Sequence, residues 1–396
     1  MPKGALASIG WSANANAFVA GQAAARLALQ RLETRRAKCA IVFGSSWFDQ
    51  AKLLDGVHSE LEGVPIVGGS TAGEITPEGP KSHSCVVLAL AYEDLMVGVG
   101  VGTNVQAQAR LAGYQAAQQA LRQLTGHARS GFVLFGDGLL TGYAEVLRGI
   151  QEVLGTSSLV TGGLMADDLR FQQTHQYANG EVFHHAVTGL LLGGACTVGV
   201  GVEHGFSPVS KPRRITRASA NVLRELDGHP ASSVYEEYFG KSVMSTVREA
   251  GLTRQLIAYP LGIQLDSTGQ FLLRNVMTFQ EDGSVVCTGE MTEGGWVQLM
   301  IGSKELALQA AVLATQQAIR PLSSLRFVLV FDSVVRKRLL GQDDRVEIAQ
   351  IRQVIGPSVP LVGCYTYGEQ APLGQPYAYG RTSVQTGAVL VIAVGP

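Results

Sequence analysis

Three glycine-rich turns carry the residues whose types and spacing could bind a small molecule. The first and third turns share the pattern PxVGxxTxGE, and the second, GGLMADD, also ends in acidic residues. Hydroxyl and carboxylate groups on flexible glycine backbone can hydrogen-bond the amines and hydroxyls of a ligand. The ligand-binding residues that these turns predict are Gly69, Ser70, Thr71, Gly73, Glu74, Gly163, Asp167, Asp168, Tyr365, Thr366, Gly368 and Glu369.

A second apolar run in each repeat also ends in polar residues. These are Ser45 and Ser46 in the first copy, Asp137 in the second, and Asp332 and Ser333 in the third. Ligands of open α/β sheets bind beyond the carboxyl ends of parallel strands, so Asp137 joins the predicted ligand-binding residues. The alternative is structural: glycine and threonine shape the turns, and the acids accept hydrogen bonds from backbone amides. Recurrence of the pattern favours a shared structural role over three separate active sites.

The turns recur because one sequence unit occurs three times, over residues 16–74, 105–168 and 304–370. In each copy two apolar runs flank a helical stretch, which predicts a parallel βαβ element. Two later runs, SCVVLALAY and LMVGVGVG in the first copy, predict an antiparallel extension. The predicted fold class is α/β, with mixed parallel and antiparallel sheets covered by helices. It is built from three related strand-helix-strand-helix-strand-strand units.

The chain divides into two predicted domains. A segment with no counterpart in the repeat, roughly residues 205–295, lies between the second and third copies. It predicts a helix over residues 218–226, a short helix over residues 232–239 and several strands. The turn sequence DGHP places the boundary between residues 1–228, with two repeat units, and residues 229–396, with the inserted strands and the third unit.

Composition excludes several classes of partner. The chain of 396 residues carries 31 lysines and arginines against 32 acids, so no broad field attracts nucleic acid or anionic lipid. The N-terminal residues lack a signal-peptide pattern, and no apolar run reaches the length of a membrane span. We therefore expect a cytoplasmic protein. The five scattered cysteines predict buried thiols rather than disulfides or a zinc site.

Recognised catalytic motifs do not occur in the sequence. It contains no GxSxG elbow, HExxH helix, Walker loop or helix-opening GxGxxG. Cys364 lies in a glycine turn where a thiol could react, which leaves a cysteine-dependent enzyme as one alternative, but the sequence identifies no histidine to activate it. We predict a ligand-binding protein that is not an enzyme. A structural scaffold is the other alternative.

The motifs GGSTAGEI and GCYTYGEQAP resemble the FIST family, which has an N-terminal and a C-terminal FIST domain. GGLMADD, GFSPVSKPRRITRASANVLRELDGHPAS and LLRNVMTFQEDGSV also resemble family signatures, in the expected order over nearly the whole chain. The resemblance implies a bacterial sensory module that binds a small ligand such as an amino acid. It also implies a separate signalling partner, such as a histidine kinase.

The chain departs from the family near its late arginine. Many members carry a cysteine before this residue, whereas Phe331, Asp332 and Ser333 precede Arg336 here. This departure argues against a cysteine-based function at the position. Arg336 itself completes the predicted ligand-binding residues.

Some family members are similar to haem-binding nitric oxide sensors, which makes haem the alternative ligand. A haem needs an axial side chain, and a sequence without CxxCH implies noncovalent binding. The candidate axial residues are His184, His185 and His204. Since His184 and His185 are adjacent beside a strand, they should face opposite sides and cannot easily bind one ion together.

Overall fold

The computed structural model describes residues 6–32, 36–249, 256–265, 270–372 and 382–396. The first repeat unit contains β1 (Ala7–Ser12), α1 (Ala17–Arg31), β2 (Cys39–Ser45), α2 (Gln50–His58), β3 (Ile66–Thr71), β4 (Glu74–Thr76), β5 (Gly79–Lys81) and β6 (Cys85–Leu90). The second contains β7 (Leu95–Thr103), α3 (Val105–Gln123), β8 (Arg129–Asp137), α4 (Tyr143–Leu154), β9 (Val160–Met165), β10 (Gln176–Ala178), β11 (Glu181–Phe183) and β12 (Ala186–Gly194).

The third unit begins with β13 (Thr197–Glu203) and is interrupted by the inserted segment. That segment contains β14 (Phe206–Pro208), β15 (Arg213–Ser219), β16 (Val222–Leu226), β17 (His229–Pro230), α5 (Ser233–Phe239), α6 (Lys241–Glu249), β18 (Leu261–Gln264), β19 (Phe271–Arg274), β20 (Val276–Phe279), β21 (Val285–Cys287) and β22 (Trp296–Gly302). The third unit continues with α7 (Lys304–Ile319), β23 (Phe327–Ser333), α8 (Val334–Leu340), α9 (Asp344–Ile355), β24 (Leu361–Thr366), β25 (Gly368–Pro372), β26 (Thr382–Gln385) and β27 (Val389–Gly395).

Each repeat unit builds one mixed sheet, as the sequence predicts. The strand orders are β1-β6-β2-β3-β10-β11, β26-β25-β9-β8-β12-β7 and β13-β27-β23-β24-β4-β5. The βαβ prediction is confirmed, because β2 and β3, β8 and β9, and β23 and β24 pair in parallel. These parallel pairs bring the carboxyl ends of their strands, and the glycine turns that follow, to one edge of each sheet.

The units are linked by an exchange of short strand pairs. The β4–β5 pair of the first unit lies beside β24 of the third, β10–β11 of the second lies beside β3 of the first, and β25–β26 of the third lies beside β9 of the second. Every unit therefore completes the sheet of another unit, and the three units form a closed ring.

Three phenylalanines fill the centre of this ring. Phe43, Phe135 and Phe331 occupy equivalent positions on β2, β8 and β23, each at the end of the strand's apolar run. All three side chains are buried, and their ring centroids are 6.2, 5.9 and 5.8 Å apart. Contacts of this geometry join the three sheets in one apolar core.

The predicted antiparallel pairing of the two later runs of the first copy is wrong. β6 pairs with β1 and β2, whereas β7 begins the second unit and pairs with β12. The reason lies in the glycines of β7: a Cβ at Gly100 would lie 1.8 Å from the carbonyl oxygen of Ala116 on α3. Close packing on α3 requires glycine there, so the run VGVGVG at residues 97–102 belongs with the following helix.

The inserted segment forms a nine-stranded sheet with a core of its own. The predicted helix over residues 218–226 is wrong, because β15 and β16 form a hairpin there that turns at Ala220, whose φ is 50°. The strand register shifts within this hairpin, so Leu223 and Leu226 are both buried although they are three residues apart. Buried residues three apart are the spacing expected of a helix. The short helix predicted over residues 232–239 is present as α5. The proposed domain boundary at residue 228 falls between β16 and β17, which pair in this sheet.

Within the described residues, no helix is both long enough and apolar enough to cross a membrane.

Candidate functional site

The three glycine turns meet around the axis of the ring. Backbone and serine hydrogen bonds join the first turn to the second, the second to the third, and the third to the first. The bonds are Ser70 Oγ to Ala166 O (2.9 Å), Ala166 N to Ser70 O (3.0 Å), Tyr367 N to Leu164 O (2.9 Å), Tyr365 N to Gly73 O (2.9 Å) and Ala72 N to Tyr365 O (3.1 Å). The three turns are thus adjacent.

The threonine and glutamate of the shared pattern bond to each other inside the protein. Thr71 Oγ1 donates to Glu74 Oε1 at 2.5 Å, and the equivalent Thr366 Oγ1 donates to Glu369 Oε1 at 2.8 Å. The second carboxylate oxygen accepts from the backbone nitrogen of Ser84 in the first turn and of Ala388 in the third, both at 3.2 Å. All four pattern residues are buried. Their contacts match the structural alternative, in which these acids stabilise the turns.

Burial has an electrostatic consequence at Glu74. Desolvation raises the pKa of this carboxyl to about 7, against the opposing effect of its bonds to Ser84 and Thr71. The folded state therefore holds a proton that the unfolded state releases near pH 4.5. Stability from this group is present below that pH and is lost as pH rises through about 7.

Glu74→Gln should remove this dependence on pH. The amide can face Thr71 while its oxygen accepts from Ser84, and it carries no charge at any pH. Between pH 5 and 8 the variant should gain up to about 3 kcal/mol of unfolding free energy relative to the parent protein. Urea unfolding of both proteins across this range measures the difference. A difference that stays constant with pH would contradict the assignment.

The glycines of the turns serve packing. A Cβ at Gly69 would lie 2.5 Å from the carbonyl oxygen of His175, and one at Gly163 would lie 2.4 Å from the ring of Phe331. Gly73 has a φ of 126°, which other residues rarely adopt. The ring of the buried Tyr365 contacts Lys337, whose Nζ is 4.6 Å from the ring centroid. These residues support the ring, and Gly368 completes the backbone pairing of β25 with β9.

The aspartates of the second unit also bond within the protein. Asp137 accepts from the Thr174 hydroxyl at 2.8 Å, and its other oxygen lies 3.3 Å from Nδ1 of His185. Asp168 accepts from the Ser46 hydroxyl at 2.8 Å, which links the first and second units.

Asp167 organises the loop that follows it. One carboxylate oxygen accepts from the backbone nitrogen of Phe171 at 3.0 Å and from the hydroxyl of Tyr367, and the other accepts from the backbone nitrogens of Gln172 and Gln173. These bonds hold a strained backbone, since Asp168, Leu169 and Phe171 all have φ between 53° and 61°. The ring of Phe171 stacks on that of Tyr367 at 4.9 Å. The loop is thereby fixed beside the third turn.

Arg336 lies in a buried ion-pair network. Its Nε donates to Asp332 Oδ1 at 2.8 Å, and its Nη2 donates to Glu347 Oε1. The remaining bonds go to the carbonyl oxygens of His204 and Ala307. Since all three charged side chains are fully buried, Arg336 holds α8 and α9 against β23 and has no contact with solvent.

The candidate haem ligands lie at different places. His184 is exposed beside His185, whereas His204 is partly buried and its Nδ1 accepts from the backbone nitrogens of Gly205 and Phe206, both at 3.1 Å. Burial, aided by Arg336, lowers the pKa of His204 to about 4. Four cavities formed by the described residues have no histidine in their lining. The three candidate axial histidines therefore lie outside these four cavities.

The positions of the thiols and acids bear on nucleophilic and metal chemistry. The five cysteines are free and buried, and burial raises the pKa of the Cys364 thiol well above its usual range. Across the residues for which the structure gives positions, no three His, Cys, Asp or Glu side chains converge as a metal site would require.

The largest of these cavities lies where the second and third units meet the inserted sheet. We call it the ligand cavity; it is lined by residues 138–141, Tyr367 and α8 on the ring side, and by Ile257, residues 275–277 and Thr288 on the inserted side. Its volume is about 480 Å³. A neighbouring cavity of about 340 Å³ shares Leu169, Val334 and Arg338 with it and reaches the first turn at Ala72.

Sequence reasoning missed the residues of the inserted sheet that line the ligand cavity. The predicted residues are instead next to it: Gly138 follows Asp137, Leu164 follows Gly163, and Tyr367 lies between Thr366 and Gly368. The motif LLRNVMTF contains Asn275, and its resemblance to a family signature was the available signal.

Comparison with known proteins supports a single family. Residues 38–229 match the FIST N domain, and residues 231–372 match the FIST C domain. An uncharacterized protein of Methanocaldococcus jannaschii is 25% identical over 281 residues, which are 66% of this chain and 53% of the relative. An uncharacterized protein of Mycobacterium tuberculosis is 26% identical over 227 residues, 54% of this chain and 56% of the relative. The matched regions thus span about half the length of these relatives.

Among solved structures, cyanuric acid hydrolase from A. caulinodans aligns over 98% of both chains, with 10% identity and a TM-score of 0.41. The two domain matches follow one another along the chain and together cover most of it. The chain therefore belongs to the FIST family, with a FIST N domain followed by a FIST C domain.

Proposed function

We propose that this protein is a cytoplasmic sensory component of a signalling system, which binds an amino acid or a similar metabolite in the ligand cavity. FIST domains are associated with sensory and signal-transduction proteins. The observation that carries the proposal is the ligand cavity itself, whose volume of about 480 Å³ is in the range of small-molecule sites. Five free cysteines agree with a reducing compartment.

The chemistry of the ligand cavity suits a small molecule with an apolar part and a polar end. Its apolar lining includes Leu169, Val276 and Val335, and its polar lining includes Asn275 and Arg338. The buried Oδ1 of Asn275 accepts no hydrogen bond from a described residue. Such an acceptor costs stability unless a ligand donates to it, and the amine of an amino acid can do so.

Arg338 supplies the complementary charge. It is exposed at the boundary of the ligand cavity and the neighbouring 340 Å³ cavity, and it forms no ion pair with a described residue. A guanidinium binds a carboxylate through two parallel hydrogen bonds. An amino acid with an apolar side chain matches this combination of groups.

The position of the ligand cavity provides a route to signalling. Its lining comes from the second unit, the third unit and the inserted sheet, so a ligand that contacts all three would favour one arrangement of them. A separate protein, such as a histidine kinase, would then distinguish the occupied and empty arrangements.

Thermal unfolding with each of the twenty amino acids tests the proposal. At least one should raise the Tm of the parent protein, because ligands that bind only the folded state stabilise it. Asn275→Leu and Arg338→Met should each weaken that response about tenfold or more. The matched control is Arg345→Met, since this exposed arginine on α9 lies outside the cavities.

Glu74→Gln separates this proposal from ligand binding at the turns. The response should persist in this variant, because Glu74 is sealed beneath the ring. Loss of the response in Glu74→Gln but not in Asn275→Leu would refute the placement in the ligand cavity. A haem absorption band in the purified protein, or no response to any amino acid, would refute the proposed ligand class.

A further inference from the structure

A second cavity beside the ligand cavity contains a buried arginine without an acidic partner. This cavity has a volume of about 250 Å³ and lies between the start of α4, β26 and the loop after β21. We propose that it binds a small oxyanion, either a carboxylate or a phosphate group, through the guanidinium of Arg274. The proposal does not depend on the ligand of the neighbouring cavity.

Arg274 differs in its ion pairing from the other buried arginines of the described chain. Arg336 is paired with Asp332 and Glu347, and Arg326 is paired with Asp94 at 2.5 Å. Arg274 is only 4% exposed, yet it forms no ion pair with a described carboxylate. A buried charge without a counter-ion is costly, so an anion supplied from outside would stabilise this arrangement.

The hydrogen bonds of Arg274 leave one end of its guanidinium available. Nε donates to the carbonyl oxygen of Glu290 at 3.1 Å, and Nη1 donates to those of Leu273 and Val384 at 2.9 and 3.1 Å. No hydrogen bond to a described residue uses Nη2. Three carbonyl oxygens therefore orient the group without neutralising it. Burial lowers the pKa of Arg274 to about 10, so the group stays charged near neutral pH.

The backbone around Arg274 is shaped to admit the guanidinium. A Cβ at Gly289 would lie 2.8 Å from its Nε and 2.9 Å from its Cζ. On the opposite side, Gly142, Tyr143 and Ala144 line the cavity at the start of α4, a helix of 12 residues whose N-cap makes no side-chain hydrogen bond. Free amides at a helix N-terminus add donors and positive potential for an anion.

The other polar side chains of the cavity are mixed in charge. Hydroxyls come from Thr288, Thr382 and Ser383, and a second cation comes from Arg148, which is exposed and paired with Glu145. Among the described residues that line this cavity, the exposed Glu290 is the one acidic residue, and only its backbone oxygen accepts a hydrogen bond from Arg274. The small volume and the single buried cation favour one compact anionic group over a polyanion.

Titration with simple anions tests the site. Sodium phosphate and sodium acetate are added to the full chain, with sodium chloride at matched ionic strength as the reference, and Tm is followed. A saturable rise with phosphate identifies a phosphate site, and one with acetate identifies a carboxylate site. Arg345→Met, an exposed position on α9 outside these cavities, should respond like the parent protein.

Arg274→Met should abolish the response, and Gly289→Ala should weaken it about tenfold by displacing the guanidinium while keeping its charge. The Gly289→Ala variant keeps the test decisive if Arg274→Met does not fold. Equal responses of the parent protein and Gly289→Ala would overturn the proposal, as would a parent protein that responds to neither anion. Since the probes are phosphate and acetate, this outcome is independent of the amino-acid screen.

Discussion

Arg336→Met is expected to destabilise the protein by about 3–5 kcal/mol, because it removes the partner of two buried carboxylates. Arg336, Asp332 and Glu347 are fully buried. Without the guanidinium, both acids must lose their charge or remain unpaired in the core. The contribution of α8 and α9 to the third unit depends on this network. Urea unfolding near neutral pH measures the loss of unfolding free energy.

Arg338→Met is the matched control, since Arg338 lies one half-turn further along α8 and is exposed. It should change the unfolding free energy by no more than about 0.5 kcal/mol. The loss in Arg336→Met should also be smaller at pH 5 than at pH 8. Burial and Glu347 already raise the pKa of Asp332 well above its usual range, so acid conditions neutralise the carboxyl that the arginine no longer pairs. Equal stability of the two variants would contradict the network's role.

The single variant Phe135→Ala is expected to lose about 3–5 kcal/mol of unfolding free energy, because it opens a cavity on the axis of the ring. Phe135 contacts both Phe43 and Phe331, and each ring belongs to a different sheet. The neighbouring rings are fixed by their own strands and cannot collapse into the space. Phe18→Ala, on the partly exposed face of α1, should produce a clearly smaller loss.

A double-mutant cycle tests whether the three rings act as one unit. Phe135→Ala combined with Phe331→Ala should cost less than the sum of the single losses, since the two rings share a contact at 5.8 Å. Strict additivity would show that the rings stabilise their own units independently.

Much of the local organisation follows from sequence pattern. The repeats and the parallel βαβ elements were predicted from apolar periodicity and spacing, and the burial of the cysteines from their scattered positions; the structure contains each of them. The hairpin of β15 and β16 was missed because its shifted register buries Leu223 and Leu226 at a spacing typical of a helix. The glycines of β7 were assigned to the wrong unit because a sequence does not show which helix approaches them.

The candidate site was also predicted only in part from the sequence. The sequence identified the turns and their acidic ends, and both readings of Glu74, ligand-binding and structural, were available from it. Only the positions of Ser84 and Thr71 around its carboxylate show that the group is enclosed. Likewise, nothing near Arg274 in the sequence indicates that a buried guanidinium would lack a carboxylate partner.

The amino-acid pattern alone specifies the repeated unit, its alternation of helices and strands, and the glycine turns, because these depend on neighbours within a few residues. Three-dimensional contacts decide how the units close into a ring. Pairing of Gly363 with Ile75, or of Gln176 with Gly69, joins segments far apart in the chain. Such pairings are selected by the packing of the whole core and have no local sequence signal. The ligand cavity and the cavity at Arg274 likewise form only where segments far apart in the chain meet.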